Sequence, residues 1–244
     1  MRIGILAAMD EEINLAKNAM KIIKEEKALQ TRFFLGKWNK SNVILVRSGV
    51  GKVNAATATQ RIISLYNPNI MIVVGVSGAC HSDLNVGDVV VANEVVQWDL
   101  DTRGLGFEVG EVPFLGIKVM KASQKLVSIT RKVIKTARLE IVSDRKPKVF
   151  VGRIASGDTF VTDEKIIETI VKRFNNLCID MESAAVAQVC VLSNIPFIII
   201  KSVSDKANHQ AGIDFSKFLK VAAMNSFIVL EKFLEEISNS MIKL

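Results

Sequence analysis

Short apolar runs alternate with stretches of helical periodicity along most of the 244-residue chain, a pattern that predicts strands separated by helices. Ile3 to Ala7 is the first run. Asp10 to Lys27 follows, and there Ile13, Leu15, Ala16, Ala19, Met20 and Ile23 recur at helical spacing and predict one helix. Thr31 to Trp38 and Asn42 to Ser48 flank Asn39-Lys40-Ser41 and read as a hairpin leading into Gly49-Val50-Gly51-Lys52. Val53 to Leu65 is an Ala-rich helix stopped at Asn67-Pro68-Asn69. Ile70 to Val74 is a continuous apolar run, as expected of a strand buried on both faces, and it ends in Gly75-Val76-Ser77-Gly78-Ala79. Val89 to Val91 reads as a strand, and Asp99 to Gly116, with four glycines, as a long functional loop. Helix Ser123 to Thr136, strand Val149 to Ala155, helices Glu164 to Arg173 and Glu182 to Leu192, strand Phe197 to Ser202 and helix Phe215 to Ile237 complete the series.

This alternation predicts an α/β protein: one domain over residues 1–244, with a mixed, mostly parallel central sheet flanked by helices on both faces. A hydrophobic fraction of 49% and a charged fraction of 23% exclude the disordered, collagen-like and disulfide-scaffold classes. The net charge of +7 raises nucleic acid as a partner, but Lys and Arg are dispersed among Asp and Glu with few aromatic residues between them. No nucleic-acid role is expected. MRIGILAAMDEE turns acidic too early for a secretory leader, and no run is long enough to span a membrane. Three scattered cysteines, Cys80, Cys178 and Cys190, and two histidines suggest neither a disulfide framework nor a zinc site. A cytoplasmic protein without a metal is expected.

Open α/β sheets bind ligands beyond the carboxyl ends of their strands. Polar clusters occupy that place at Met9 to Glu12, Gly75 to Ala79, Ser156 to Val161, Asp180 to Ser183 and Ser204-Asp205. Each alone has a structural explanation. Acidic residues favour the first turn of a helix, Asp180 is a candidate N-cap, Gly157-Asp158 a candidate turn, and Phe160 a candidate core aromatic.

Taken together, MRIGILAAMDEE, SGVGKVNAA, GVSGACHSDLNVGDVVV, SGDTFVTDE, DMESAAVAQVC, SVSDKAN and FLKVAA resemble, nearly end to end, the 5'-methylthioadenosine/S-adenosylhomocysteine nucleosidases. That family has a nucleoside phosphorylase-like fold. The resemblance implies hydrolysis of the N-glycosidic bond of these adenine thionucleosides, with 5'-deoxyadenosine an open alternative, and no cofactor. It also implies the roles. Asp205 protonates adenine N7, Glu12 activates water and Glu182 holds the ribose hydroxyls, the needs of an oxocarbenium-like transition state. Ser204 orients Asp205, Phe160 stacks on adenine, the Val161 backbone reads its edge, and Ser77, Gly78 and Ala79 border the ring. Met9, Val50, Met181 and Phe215 line the ribose and thioether end. Leu105, Phe107 and Pro113 close the pocket of a partner subunit, so a homodimer is implied. Lys201 stands near the water where most relatives have arginine, and Val76 stands where they have serine.

Two rivals remain at this level. A purine nucleoside phosphorylase shares the fold, but phosphate needs a cationic or N–H cradle, and the expected nucleophile side carries Asp10, Glu11 and Glu12. A polyanion-binding protein would use the net positive charge instead.

Overall fold

The computed structural model describes residues 1–28 and 31–239. The first half of the chain comprises β1 (Arg2–Ala7), α1 (Asp10–Ala19), β2 (Lys21–Ala28), β3 (Thr31–Trp38), β4 (Ser41–Arg47), α2 (Lys52–Tyr66), β5 (Ile70–Ala79) and β6 (Val89–Gln97). The second comprises β7 (Met120–Lys121), α3 (Gln124–Val133), β8 (Val149–Ser156), α4 (Glu164–Phe174), β9 (Cys178–Asp180), α5 (Ser183–Leu192), β10 (Phe197–Asp205) and α6 (Ala211–Asn239).

The two strands of continuous apolar sequence are the centre of the sheet. Every residue of β5 and of β10 is buried, as a run apolar on both faces requires. β5 pairs in parallel with β1 on one side and β10 on the other. β10 continues antiparallel to β6, which is followed in parallel by β8 and β9. β9 then pairs antiparallel with the last residues of β5. The sheet therefore closes on itself through β5, β10, β6, β8 and β9, while β1, β4, β3 and β2 extend from β5 as an open wing. The mixed central sheet expected from the sequence is present, and its closure is a feature that the alternation of elements does not specify. It brings the carboxyl ends of strands running in opposite senses to one place, where Asp205 lies opposite Gly78, Gly78 opposite Ile179, and Ser156 opposite Asp180.

α6 packs along β10 and β5, with α1 and α3 beside it, and α2 and α5 pack on each other over β1, β6 and β8. The fold is thus one mixed α/β domain with helices flanking its sheet. None of its described helices is long and apolar enough to cross a membrane.

The predicted helix Asp10 to Lys27 is corrected by the structure. α1 stops at Ala19, Met20 is extended, and Lys21–Ala28 forms β2, antiparallel to β3 at the edge of the wing. Ile23, counted in the helical stripe, is 66% exposed. Pairing to β3 satisfies the backbone of this segment without a buried side-chain face, so tertiary context overrides the period.

A buried carboxylate ties the start of β6 to β8. Asp88 accepts hydrogen bonds from both Arg145 Nη atoms at 2.7 and 2.9 Å, from Lys148 N at 2.6 Å and from Asn85 N at 2.9 Å. Asp88→Ala removes these charge-assisted bonds at once and is expected to cost on the order of 3 kcal/mol in urea unfolding. A loss below about 1 kcal/mol would show that the cluster is not a structural tie.

Candidate active site

The strand ends of this convergence surround a cavity of about 490 Å³, mouth included. Glu12, Met9, Val50, Ser77, Gly78, Phe160, Met181, Glu182, Ser204, Asp205 and Phe215 all line it. Val161 lines an adjoining recess together with Thr159 and Ala207.

Glu12 is the third residue of α1, and its side chain turns back over the helix start. Its Oε2 accepts from Ala8 N at 2.8 Å and Met9 N at 2.9 Å, and its Oε1 from Val76 N at 2.9 Å. The helix cap and the site residue are one side chain. This placement depends on Gly75, whose φ is +154° and where a Cβ would meet Glu12 Oε1 at 2.2 Å. Burial lifts the Glu12 carboxyl above its ordinary value, against the opposing pull of Lys201 and the backbone donors.

Asp205 closes β10. The pairing with β5 slips between Val203 and Asp205, and such a bulge lets the consecutive Ser204 and Asp205 both reach the cavity. Asp205 Oδ2 accepts from Ser204 Oγ at 2.8 Å and Oδ1 from Ala207 N at 2.9 Å. Burial raises its carboxyl as well, outweighing these two bonds. Glu182 is the N-cap residue of α5; its Oε1 accepts from Gly51 N at 2.9 Å, and burial pushes it up to about 7.

Behind the cavity wall lies Lys201, 1% exposed, with Nζ 3.1 Å from Asp180 Oδ2 and 3.6 Å from Glu182 Oε2. Burial alone would lower its affinity for a proton, but Asp180, Glu182 and Glu12 together raise it. Lys201 therefore does not form the cavity lining expected of a substrate-binding residue. It is the buried countercharge of the carboxylates that do. Ala79 is corrected too: it is buried opposite Cys178 in the sheet and reaches neither the cavity nor the recess. Val76 lines the cavity and packs its side chain with Met9, Phe215, Ala222 and Ala223, so its apolar character serves that cluster while its N–H serves Glu12.

Asp180, offered by the sequence both within the Asp180 to Ser183 cluster and as a candidate N-cap, lines the cavity. The N-cap position of α5 falls to Glu182 instead; Asp180 accepts from Ser183 N and Oγ and from Ser156 Oγ at 2.5 Å, and pairs with Lys201. Its position at the end of an apolar strand, two residues before Glu182, was the available signal. Ala8 and Ile179 complete the lining and carry no polar side chain to find. Phe160 is 46% exposed and packs edge-on against Phe215, with ring centroids 5.7 Å apart. Leu105, Phe107 and Pro113 do not line the cavity of their own chain; Leu105 is 66% exposed, and Phe107 packs against Phe114, which is 85% exposed.

The family model for the phosphorylase superfamily matches residues 2–235. The 5'-methylthioadenosine/S-adenosylhomocysteine nucleosidase of Bacillus subtilis (strain 168) is 37% identical over 238 residues, 97% of this chain and 100% of that protein. The chain belongs to the 5'-methylthioadenosine/S-adenosylhomocysteine nucleosidase family. Two solved structures are similar throughout. The Streptococcus pyogenes S-adenosylhomocysteine nucleosidase in complex with 5-methylthiotubericidin is 34% identical with a TM-score of 0.89, covering 97% of each chain. The Neisseria meningitidis 5'-methylthioadenosine/S-adenosylhomocysteine nucleosidase in complex with methylthio-immucillin-A is 31% identical with a TM-score of 0.89, covering 96% of this chain and 99% of that one. For this nucleosidase-family chain, the fold and the cavity position follow from the same strand-end convergence.

Lys201→Met leaves the buried carboxylates without their cation and is expected to cost about 3–5 kcal/mol of stability at about pH 8. Carboxyls whose folded-state affinity for protons is raised lose stability as pH rises and regain it as they protonate. The deficit is therefore expected to shrink toward about pH 5.5, read from paired urea titrations. A pH-independent deficit would contradict the countercharge role.

Proposed function

We propose that this chain is a purine nucleosidase that hydrolyses the N-glycosidic bond of 5'-methylthioadenosine and S-adenosylhomocysteine, releasing adenine and the 5'-thioribose. The observation that carries this reading is the placement of Asp205, Glu182 and Glu12 around one largely apolar cavity, each buried and each held by named donors. In this reading Asp205 gives its proton to adenine N7 as the C1'–N9 bond breaks and the electron pair leaves with the base. The ribosyl centre becomes oxocarbenium-like, Glu182 holds its hydroxyls, and Glu12 takes a proton from the water that adds to C1'. The raised proton affinity of Asp205 suits an acid, and that of Glu12 makes it a stronger base than an exposed carboxylate.

Phe160 stacks on the base, the Val161 backbone in the recess reads its edge, and Ser77 and Gly78 border it. Met9, Val50, Met181 and Phe215 accept the ribose and thioether, where soft and aromatic side chains adapt to shape. Phosphorolysis fits less well. No Lys, Arg or His is among the residues lining the cavity, and Lys201 is already engaged by carboxylates, so a phosphate nucleophile would lack a countercharge.

Asp205→Asn and Glu12→Gln are each expected to fold and to lose roughly 10²–10⁴ in kcat on 5'-methylthioadenosine. Adenine release by the unaltered enzyme is expected to be indifferent to added phosphate. Turnover near that of the unaltered enzyme in either variant would remove that residue's role, and a severalfold acceleration with formation of a ribose 1-phosphate would convert the reading to a phosphorylase.

The working unit is a cytoplasmic homodimer, with residues 1–244 forming one nucleosidase domain in each copy. Its cysteines are free, and the loop bearing Leu105, Phe107 and Pro113 offers apolar side chains that its own cavity does not use. Light scattering is expected to give twice the chain mass, and Phe107→Ala is expected to raise KM more than it lowers kcat. A monomer of full activity would exclude the shared pocket.

A further inference from the structure

Two sequence motifs are not used up by the proposed chemistry: the Lys52 of SGVGKVNAA and the Asp158 of SGDTFVTDE. The fold brings both to Asp99, the first residue of the long loop. Lys52 Nζ lies 2.6 Å from Asp99 Oδ1 and 3.1 Å from Gln97 Oε1. Asp99 Oδ2 accepts from Asp158 N at 2.9 Å, and Asp158 Oδ1 accepts from Lys52 N at 2.7 Å. The ring is closed, with each of the three residues bonded to the other two.

Its output is Gly51, next to Lys52. Gly51 N donates to Glu182 Oε1 at 2.9 Å, and this residue holds a φ of +98° with Asp158 Oδ1 at 3.2 Å from where a Cβ would be. Glycine reaches this conformation without steric cost but also many others, so something must select it. The ring supplies that constraint through both the backbone and the side chain of Lys52. A second branch reaches the same helix, because Gln97 Nε2 donates to Gln188 Oε1 on α5 at 2.7 Å, and Glu182 is the N-cap of α5. Lys52 and Asp99 are only 18% and 21% exposed, so their attraction is screened less than that of a surface pair.

We propose that Asp99, Lys52 and Asp158 are positioning residues that fix Glu182 against the ribose and couple the loop of residues 99–116 to it. They do not touch substrate; they act through Gly51. This rests on the reading of Glu182 as the ribose-binding carboxylate, and the test separates the two.

The test compares kcat/KM on 5'-methylthioadenosine with kcat/KM on its 2',3'-dideoxy analogue, which has no hydroxyl for Glu182 to hold. Asp99→Asn and Lys52→Met are each expected to lose about tenfold on the first substrate and no more than about twofold on the second, because misplacement of a positioning group penalises only the contact it serves. The ratio between substrates does not depend on how much of a variant is folded. Asp158→Ala, which removes the acceptor for Lys52 N, is expected to shift the ratio in the same direction, and the double variant Lys52→Met/Asp99→Asn to lose no more than the more impaired of the two single variants. Equal losses on both substrates would make the ring merely structural and overturn the proposal. Glu182→Gln, run alongside, isolates the underlying reading: if it fails to discriminate between the substrates, the ribose assignment falls; if it discriminates and Asp99→Asn does not, only the positioning proposal falls.

Discussion

One buried ammonium allows three carboxylates to share a wall of the cavity. Asp180 and Glu182 come from the β9–α5 junction and Glu12 from the start of α1, and Lys201 faces all three from the middle of β10. Without a cation, carboxylates buried this closely would retain protons and lose the distinct states that acid and base chemistry requires. With it, burial still raises the proton affinity of Glu12 and Glu182, and the Lys201 charge works against that rise in both. A buried ion pair of this kind is a poor source of stability and a good means of fixing position.

The closed part of the sheet provides the location. A strand pair that runs parallel presents one carboxyl end; here two parallel groups of opposite sense meet at the end of β5. Residues of β5, β9 and β10, with residues that follow β1 and β8, thereby reach one cavity without any long excursion of the chain. The bulge before Asp205 adds a local adjustment, letting two neighbouring polar side chains face the same side.

Much of this was legible in the sequence where local and chemical demands coincide. Glu12 is both the capping glutamate of α1 and a cavity carboxylate, so the helix start and the family motif point to the same residue. The apolar runs of β5 and β10 announced buried central strands. Legibility failed where the deciding partner is distant. β2 carries a helical stripe, yet its backbone pairs with β3. Lys201 reads as a polar lining residue, yet its partners Asp180 and Glu182 come from elsewhere in the chain and hold it inside. Ala79 continues a lining motif, yet it falls beyond the cavity because β9 covers the end of β5. Asp180 reads as an N-cap, yet Glu182 takes that position, and nothing local reveals the pairing of Asp180 with Lys201.

Closure has a further effect at the opposite side of the molecule. Folding one flank of the sheet back onto β5 removes an open edge, which leaves β2 as the long free edge among the described strands. An unpaired edge invites strand addition from another copy of the chain. β2 meets that hazard with Lys21, Lys24, Glu25 and Lys27, all exposed, and with the irregular pairing between Ile22 and Lys24. The segment whose helical pattern misleads thus carries, on the free edge, the exposed charges and irregular pairing that disfavour edge-to-edge strand addition.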